Sequence, residues 1–272
     1  MDEPRILLTN DDGIDSVGFR ALYEGLADCG EVIAVAPADD QSSVGRTISD
    51  AVDVQDHELG YEVEGTPVDC VIAGLGTLCP DADLVVSGCN KGANIGAYVL
   101  GRSGTVSAAV EAAFFEVPAI SVSLYIDAGD DWETLATEPE DFRHATAATR
   151  YLVDRAGEAG VFEAADYLNV NVPYIETESG VVEPTEMIVT HPSTRYEMGA
   201  ERNGGQVALQ DGIWELMRSG SITDPEGTDR RTVAEGQISV SPLTAPHSTE
   251  RHSALDRLAD EYGVEETRKE PR

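Results

Sequence analysis

Apolar residues along this chain fall into short blocks of two kinds. "RILLT" (5–9), "EVIAVAP" (31–37), "DADLVVSG" (81–88), "PAISVSL" (118–124) and "DYLNVNVP" (166–173) are compact apolar runs bounded by turn residues. That is the pattern of strands buried on both faces. Between them the spacing is helical. Phe19, Leu22, Tyr23 and Leu26 recur from about Ser16 until Gly30 stops the period. In "GTPVDCVIAGLGTL" (65–78) Thr66 can cap, Pro67 sits at the first helical position and Asp69 lies in the first turn, with Val68, Val71, Ile72 and Leu75 as the stripe. "TVSAAVEAAFF" (105–115) and a stretch over about 139–158 also read as helices, and alternating runs around 51–57 and 61–64 suggest a hairpin. Strands alternating with helices predict an α/β fold with a doubly wound, mostly parallel sheet covered on both faces.

Past residue 180 the pattern changes. The sequence from Val181 to Met217 is strand-like, turn-rich and less apolar. The expected organisation is a core over 1–180, an extended β arm for association over 181–246, and a C-terminal helix and tail over 247–272. In the tail, Leu255, Leu258 and Tyr262 recur at helical spacing and 264–272 reads as frayed.

Charge changes the picture most. The 272 residues carry 18 basic and 51 acidic side chains, a formal net charge of −33. Only Lys91 and Lys269 are lysines, and the acids are spread along the chain. Such a surface repels nucleic-acid polymers and anionic membranes. It resembles proteins of salt-accumulating cytoplasms, where the Debye length falls to about 3 Å at molar salt. No run reaches the length of a membrane span, and the acidic N-terminus does not look like a secretory signal, so a cytoplasmic location is expected. Cys29, Cys70, Cys79 and Cys89 show no metal spacing and read as reduced structural thiols. Of the five histidines, His144 reads as solvated and His191 as a substrate-edge residue.

The chemistry gathers where strands end. "ILLTNDDGI" stops a buried strand on Asn10, Asp11, Asp12 and Gly13. Gln41-Ser42-Ser43 follows the second strand. "GCNKGANIG" (88–96), with Asn90, Lys91 and Asn94, follows the strand ending near Ser87, and Ser103-Gly104-Thr105 opens the next helix. A doubly wound topology brings these loops to one edge. Their donors are hard oxygens without imidazole or thiolate, which suits Mg²⁺ or Mn²⁺, or Ca²⁺ in a roomy cavity, rather than zinc. A helix mouth at Ser103–Thr105 offers N–H groups and a positive dipole end to a phosphate. A cation beside a phosphate seat is the equipment for phosphomonoester hydrolysis.

"ILLTNDDGI", "APADDQSSVGRTIS", "GTPVDC", "VVSGCNKGANIG", "SGTVSAAVEAAFFEVPAISVS" and "GQISVSPL" resemble, in order, the signature segments of the SurE family of survival-protein 5′-nucleotidases, over about residues 5–245. The charge adds a resemblance to halophilic archaeal members. The family resemblance implies a Rossmann-like core and hydrolysis of nucleoside 5′- and 3′-monophosphates with one divalent metal ion per subunit. It also implies a homodimer or homotetramer built through β arms and an exchanged C-terminal segment. By motif position Asp11, Asp12, Ser42 and Asn90 match the metal ligands, the two aspartates also being the catalytic candidates. Asn94, Ser103, Gly104 and Thr105 match the phosphate pocket. Two features depart from the family: "NIGAYVLGRSGTV" is one residue longer, with Gly101-Arg102 before the serine, and "EAAFFE" replaces a Glu-Gly stretch. Two other readings use the same residues. A haloacid-dehalogenase-type phosphatase would need carboxylates at i and i+2, and a nucleotide-binding module would bind without turnover.

Overall fold

The computed structural model describes residues 3–127, 132, 134–175, 185–245 and 253–259. Its main sheet is built from β1 (Arg5–Thr9), β2 (Glu31–Pro37), β3 (Asp53–His57), β4 (Gly60–Glu64), β5 (Leu84–Lys91), β6 (Ala119–Tyr125), β7 (Tyr167–Pro173), β8 (Met187–Val189) and β11 (Ile238–Leu243). A separate hairpin pairs β9 (Met198–Asn203) with β10 (Gln206–Asp211). The order across the main sheet is β3-β4-β2-β1-β5-β6-β7-β11-β8. From β4 through β7 every neighbour is parallel, and β3 and β11 join antiparallel to β4 and β7.

Alternation along β1 sends side chains to two cores. Ile6 and Leu8 pack with Phe19, Leu22 and Leu26 of α1 (Val17–Leu26) and with Ala145, Ala148 and Leu152 of α5 (Arg143–Arg155). Leu7 faces the other way, onto Cys70 and Val71 of α2 (Pro67–Ala73) and Val106, Ala109 and Ala112 of α4 (Gly104–Phe114). Each such aliphatic side chain stabilises the fold by about 1.5–3 kcal/mol on burial. The capping box expected at α2 is present: Thr66 Oγ1 accepts from Asp69 N–H (3.2 Å), and Asp69 accepts from Thr66 N–H (2.9 Å).

Two expectations need correction. The region 181–246 is not an arm throughout. β8 and β11 complete the main sheet, and the short helices α6 (Ile213–Arg218) and α7 (Asp229–Ala234) lie between them, so the hairpin alone stands apart. A six-residue helix is too short to show a hydrophobic period, which is why both were read as strand and turn. His144 is not solvated but 4% exposed, and burial holds its imidazole below the ordinary range. All four cysteines are buried free thiols. Residues 253–259 are helical, with Leu255 and Leu258 exposed, while Tyr262, His247, His252 and 264–272 lie outside the described residues.

Candidate functional site

From β1 the chain crosses to β2 on one side, and later leaves β5 for β6 on the other. The carboxyl ends of β1 and β5 therefore flank the switch point of the sheet, where doubly wound folds open a crevice. The turn after β1 is fastened from inside. Buried Asn10 donates through Nδ2 to Gly13 O (2.8 Å) and Ser16 Oγ (2.9 Å). Gly13, at φ +94°, supplies the left-handed backbone the turn requires.

Asp11 is 3% exposed and lies against the mouth of α4. Its Oδ1 accepts from Thr105 Oγ1 (2.6 Å). A Cβ on Gly104 would sit 2.8 Å from Asp11 Cβ, so only glycine lets the carboxylate approach that helix. Ser103 caps α4 by accepting from Val106 N–H (3.1 Å). Asp12 points elsewhere: its Oδ2 accepts from Lys91 N–H (3.0 Å) at the end of β5. The aspartates thus contact different elements, and as adjacent residues followed by Gly13 they do not supply the i, i+2 carboxylates that an aspartyl-phosphate mechanism needs.

Asn90 precedes Lys91 on β5, where the register against β6 shifts between Ser87 and Asn90, and its Nδ2 donates to Gly92 O. The 38–49 loop docks through Gln41 N–H onto Asp11 O (2.7 Å). Ser42, next along, is exposed, and both its N–H (2.7 Å) and Oγ (2.6 Å) donate to Asp40. The structure therefore gathers Asp11, Asp12, Asn90, Gly104 and Thr105 at one strand edge. Ser42 lies beside them with its hydroxyl turned to Asp40.

Burial, then the neighbouring Asp11 charge, pushes the Asp12 carboxyl up to about 7. Asp11 is also raised by burial, against the lowering effect of Thr105. The charge of Asp40 adds to both. Lys91 works against the rise at Asp12 through its N–H and its charge, and no arginine or lysine comes within salt-bridge distance of either aspartate among the described residues. Nor do three His, Cys, Asp or Glu side chains converge there among the described residues, where two carboxylates and neutral oxygens make up the donor set. Such a set fits a hard divalent cation, whose charge would relieve what burial has left uncompensated.

Behind the aspartates is a buried amide network. Asn94 donates through its N–H to Asn171 Oδ1 (2.8 Å) and through Nδ2 to Ser123 Oγ (2.9 Å) and Thr105 Oγ1 (3.3 Å). Its carbonyl accepts from Asn169 Nδ2 (2.8 Å) and Asn171 Nδ2 (3.1 Å). Sequence reasoning did not single out Asn169, Asn171, Ser123 or Asp40. The alternation in "SVSL" and "NVNV" carried the signal, polar residues on one face of strands buried on both. His191, read as a substrate-edge residue, forms an isolated bridge to Thr228.

The survival protein SurE family model matches residues 6–197. The chain is 60% identical to the 5′-nucleotidase SurE of Haloarcula marismortui over 96% of both chains. It is 62% identical to that of Natronomonas pharaonis over 94% of this chain and 99% of the relative. Among solved structures, the SurE protein of Aquifex aeolicus superposes with a TM-score of 0.73 at 29% identity, covering 94% of this chain and 100% of the other.

Proposed function

The chain belongs to the survival protein SurE family, and from that premise we propose how its residues carry out the 5′-nucleotidase reaction for which its archaeal relatives are named. The enzyme hydrolyses nucleoside monophosphates: water adds to phosphorus, the ester P–O bond breaks, and nucleoside and inorganic phosphate leave. Family membership fits dependence on a divalent metal ion.

Asp11, Asp12, Asn90 and Ser42 would hold one such ion per subunit, Mg²⁺ or Mn²⁺. Ser42 would join the set by a rotamer change that frees its Oγ from Asp40 while its N–H stays bonded there. The bound cation supplies Lewis acidity, which polarises the phosphoryl oxygen and lowers the pKa of water. Thr105 and Gly104 position Asp11. Ser103 fixes the first turn of α4 so that its N–H groups and positive dipole end face the phosphate. Asn94, braced by Asn169 and Asn171, lines the same pocket.

The observation that carries this reading is the adjacent Asp11–Asp12 pair, Asp11 buried and Asp12 half-buried, both raised in proton affinity and neither salt-bridged to an arginine or lysine among the described residues. A phosphate-release assay on AMP in molar KCl, with Mn²⁺, Mg²⁺ or chelator, tests it. Turnover should need the metal, and full activity in chelator would remove the cation from the mechanism.

The same proposal places the protein in the cytoplasm as a homodimer or homotetramer. No helix among the described residues is long and apolar enough to cross a membrane. Val207 and Leu209 on the hairpin, exposed by 57% and 74%, support the hairpin as the association element.

A further inference from the structure

The loop that follows β5 carries Asn94 and is fastened at three consecutive residues. Toward the sheet, the N–H and carbonyl of Asn94 are taken up by the side chains of Asn169 and Asn171 on β7. The next side chain, Ile95, is 1% exposed and packs among Tyr125, Ile213, Met217 and Val233. Gly96 N–H then donates to Oδ2 of Asp229 (2.7 Å), a residue 133 positions away in the sequence. Asp229 opens α7 and is 0% exposed. Its Oδ1 accepts from Ser193 N–H (2.9 Å), and Ser193 O accepts from Ala97 N–H (2.8 Å). One carboxylate thus anchors two successive peptide groups, the second through Ser193. Gly96 has φ +88°, and a Cβ there would collide with Arg230 Nη2, whose guanidinium is itself fixed on Asp224. The loop and the start of α7 therefore fit only with glycine at the joint.

We propose that Asp229 is a positioning residue of the nucleotidase: by holding Gly96 it sets where Asn94 stands in the phosphate pocket. The inference rests on the hydrolytic reading above and adds to it a residue that belongs neither to the metal set nor to the pocket. A carboxylate suits this task. Ionised, it only accepts, and the N–H groups of Gly96, Ser193 and Arg230 only donate. Bonds of that kind are roughly twice as strong as those between neutral partners. Asn94 and Gly96 are separated by one packed residue, so a shift at the joint is passed along the chain instead of being absorbed. A misplacement of about 1 Å can cost about a hundredfold in rate. The metal set lies on β1, on β5 and in the 38–49 loop, so the loss should fall on phosphate and not on the cation.

Kinetics on the full chain in molar KCl with Mn²⁺, below the melting temperature of every variant, test this. The variants are Asp229→Asn, Gly96→Ala, Asn94→Ala, and the two pairs that join Asn94→Ala to each of the others. Asp229→Asn turns one acceptor oxygen into a donor facing N–H groups, and Gly96→Ala opens the same joint from the loop side. Each should raise KM for AMP and the inhibition constant of inorganic phosphate about tenfold and lower kcat by less. Calorimetric titration with Mn²⁺ should give the wild-type affinity in both. In the Asn94→Ala background neither substitution should raise KM further, because the effect of Asp229 passes through Asn94. Should Asp229→Asn not fold, Gly96→Ala and its pair decide. Wild-type KM and phosphate inhibition in the single variants, with only the melting temperature lowered, would make Asp229 purely structural; that overturns the proposal and leaves the hydrolytic reading intact. An undiminished second rise of KM in the Asn94→Ala background overturns it as well. Absence of phosphate release from AMP by the wild type overturns both readings.

Discussion

At the end of β1, buried Asp11 and half-buried Asp12 lie side by side, and no arginine or lysine forms a salt bridge to either among the described residues. At the start of α7 the fold buries acids differently. Asp224 faces Arg230 at 3.1 Å, with both side chains at 0% exposure, and Ser193 Oγ donates to the same carboxylate. Asp229 accepts from the N–H groups of Gly96 (2.7 Å), Ser193 (2.9 Å) and Arg230 (2.6 Å). One cluster sets its acids against Arg230 and backbone N–H groups and pins the 92–96 loop through Gly96. The other has no salt-bridged cation among the described residues and lies on the crevice that this loop borders. A buried pair neutralised from within is architecture, whereas one that awaits a cation is a site. The two clusters should answer substitution in opposite ways.

The largest effect should come from Asp11→Asn or Asp12→Asn. Each should lower phosphate release from AMP by at least a hundredfold, since a metal's electrostatic contribution of several kcal/mol corresponds to that factor. Without metal and above pH 8, the Asp12→Asn protein should unfold at or above the wild-type temperature, because a half-buried anion beside Asp11 has been removed. Clear destabilisation of Asp12→Asn in chelator would make Asp12 architecture as well and dissolve the contrast.

Arg230→Ala should do the reverse and cost about 3–5 kcal/mol of stability in chemical unfolding, because it strands Asp224 without its partner. A loss under about 1 kcal/mol, typical of exposed pairs such as Arg20–Glu58, would mean that the second cluster is not held by its charges.

Gly104→Ala sharpens the comparison from the geometric side. The added methyl would meet Asp11 Cβ at 2.8 Å and displace the carboxylate. Activity should fall by about tenfold to a hundredfold, with metal affinity reduced in the same variant. Unchanged kinetics would show that Asp11 need not rest against α4.

The smallest effect is collective. KM for AMP should fall a few-fold as KCl rises toward molar levels, because screening removes long-range repulsion from 51 acidic residues. The melting temperature should rise over the same range. A KM that climbs steadily with salt would contradict this.

The two regions also differed in how far the sequence disclosed them. The parallel strands were visible because burial on both faces leaves near-continuous apolar runs, and loops at strand ends place Asp11, Asp12 and Asn90 without further information. Ser42 was legible by motif, but its bond to Asp40 was not, because it depends on how an exposed loop folds. Region 185–245 resisted for a different reason. β8 has three residues, α6 and α7 have six each, and β11 alternates Ile238 and Val240 with buried Ser239 and Ser241, which bond Thr190. A polar residue inside a sheet reads as a surface residue until its partner on another strand is known.

Calorimetric titration of Mn²⁺ into the full chain in molar KCl, alongside Asp11→Asn and Asp12→Asn, is the most direct measurement. One ion should bind per wild-type subunit, with at least tenfold weaker binding in both variants. Equal affinity in all three proteins would mean that the strand-end carboxylates do not hold the metal.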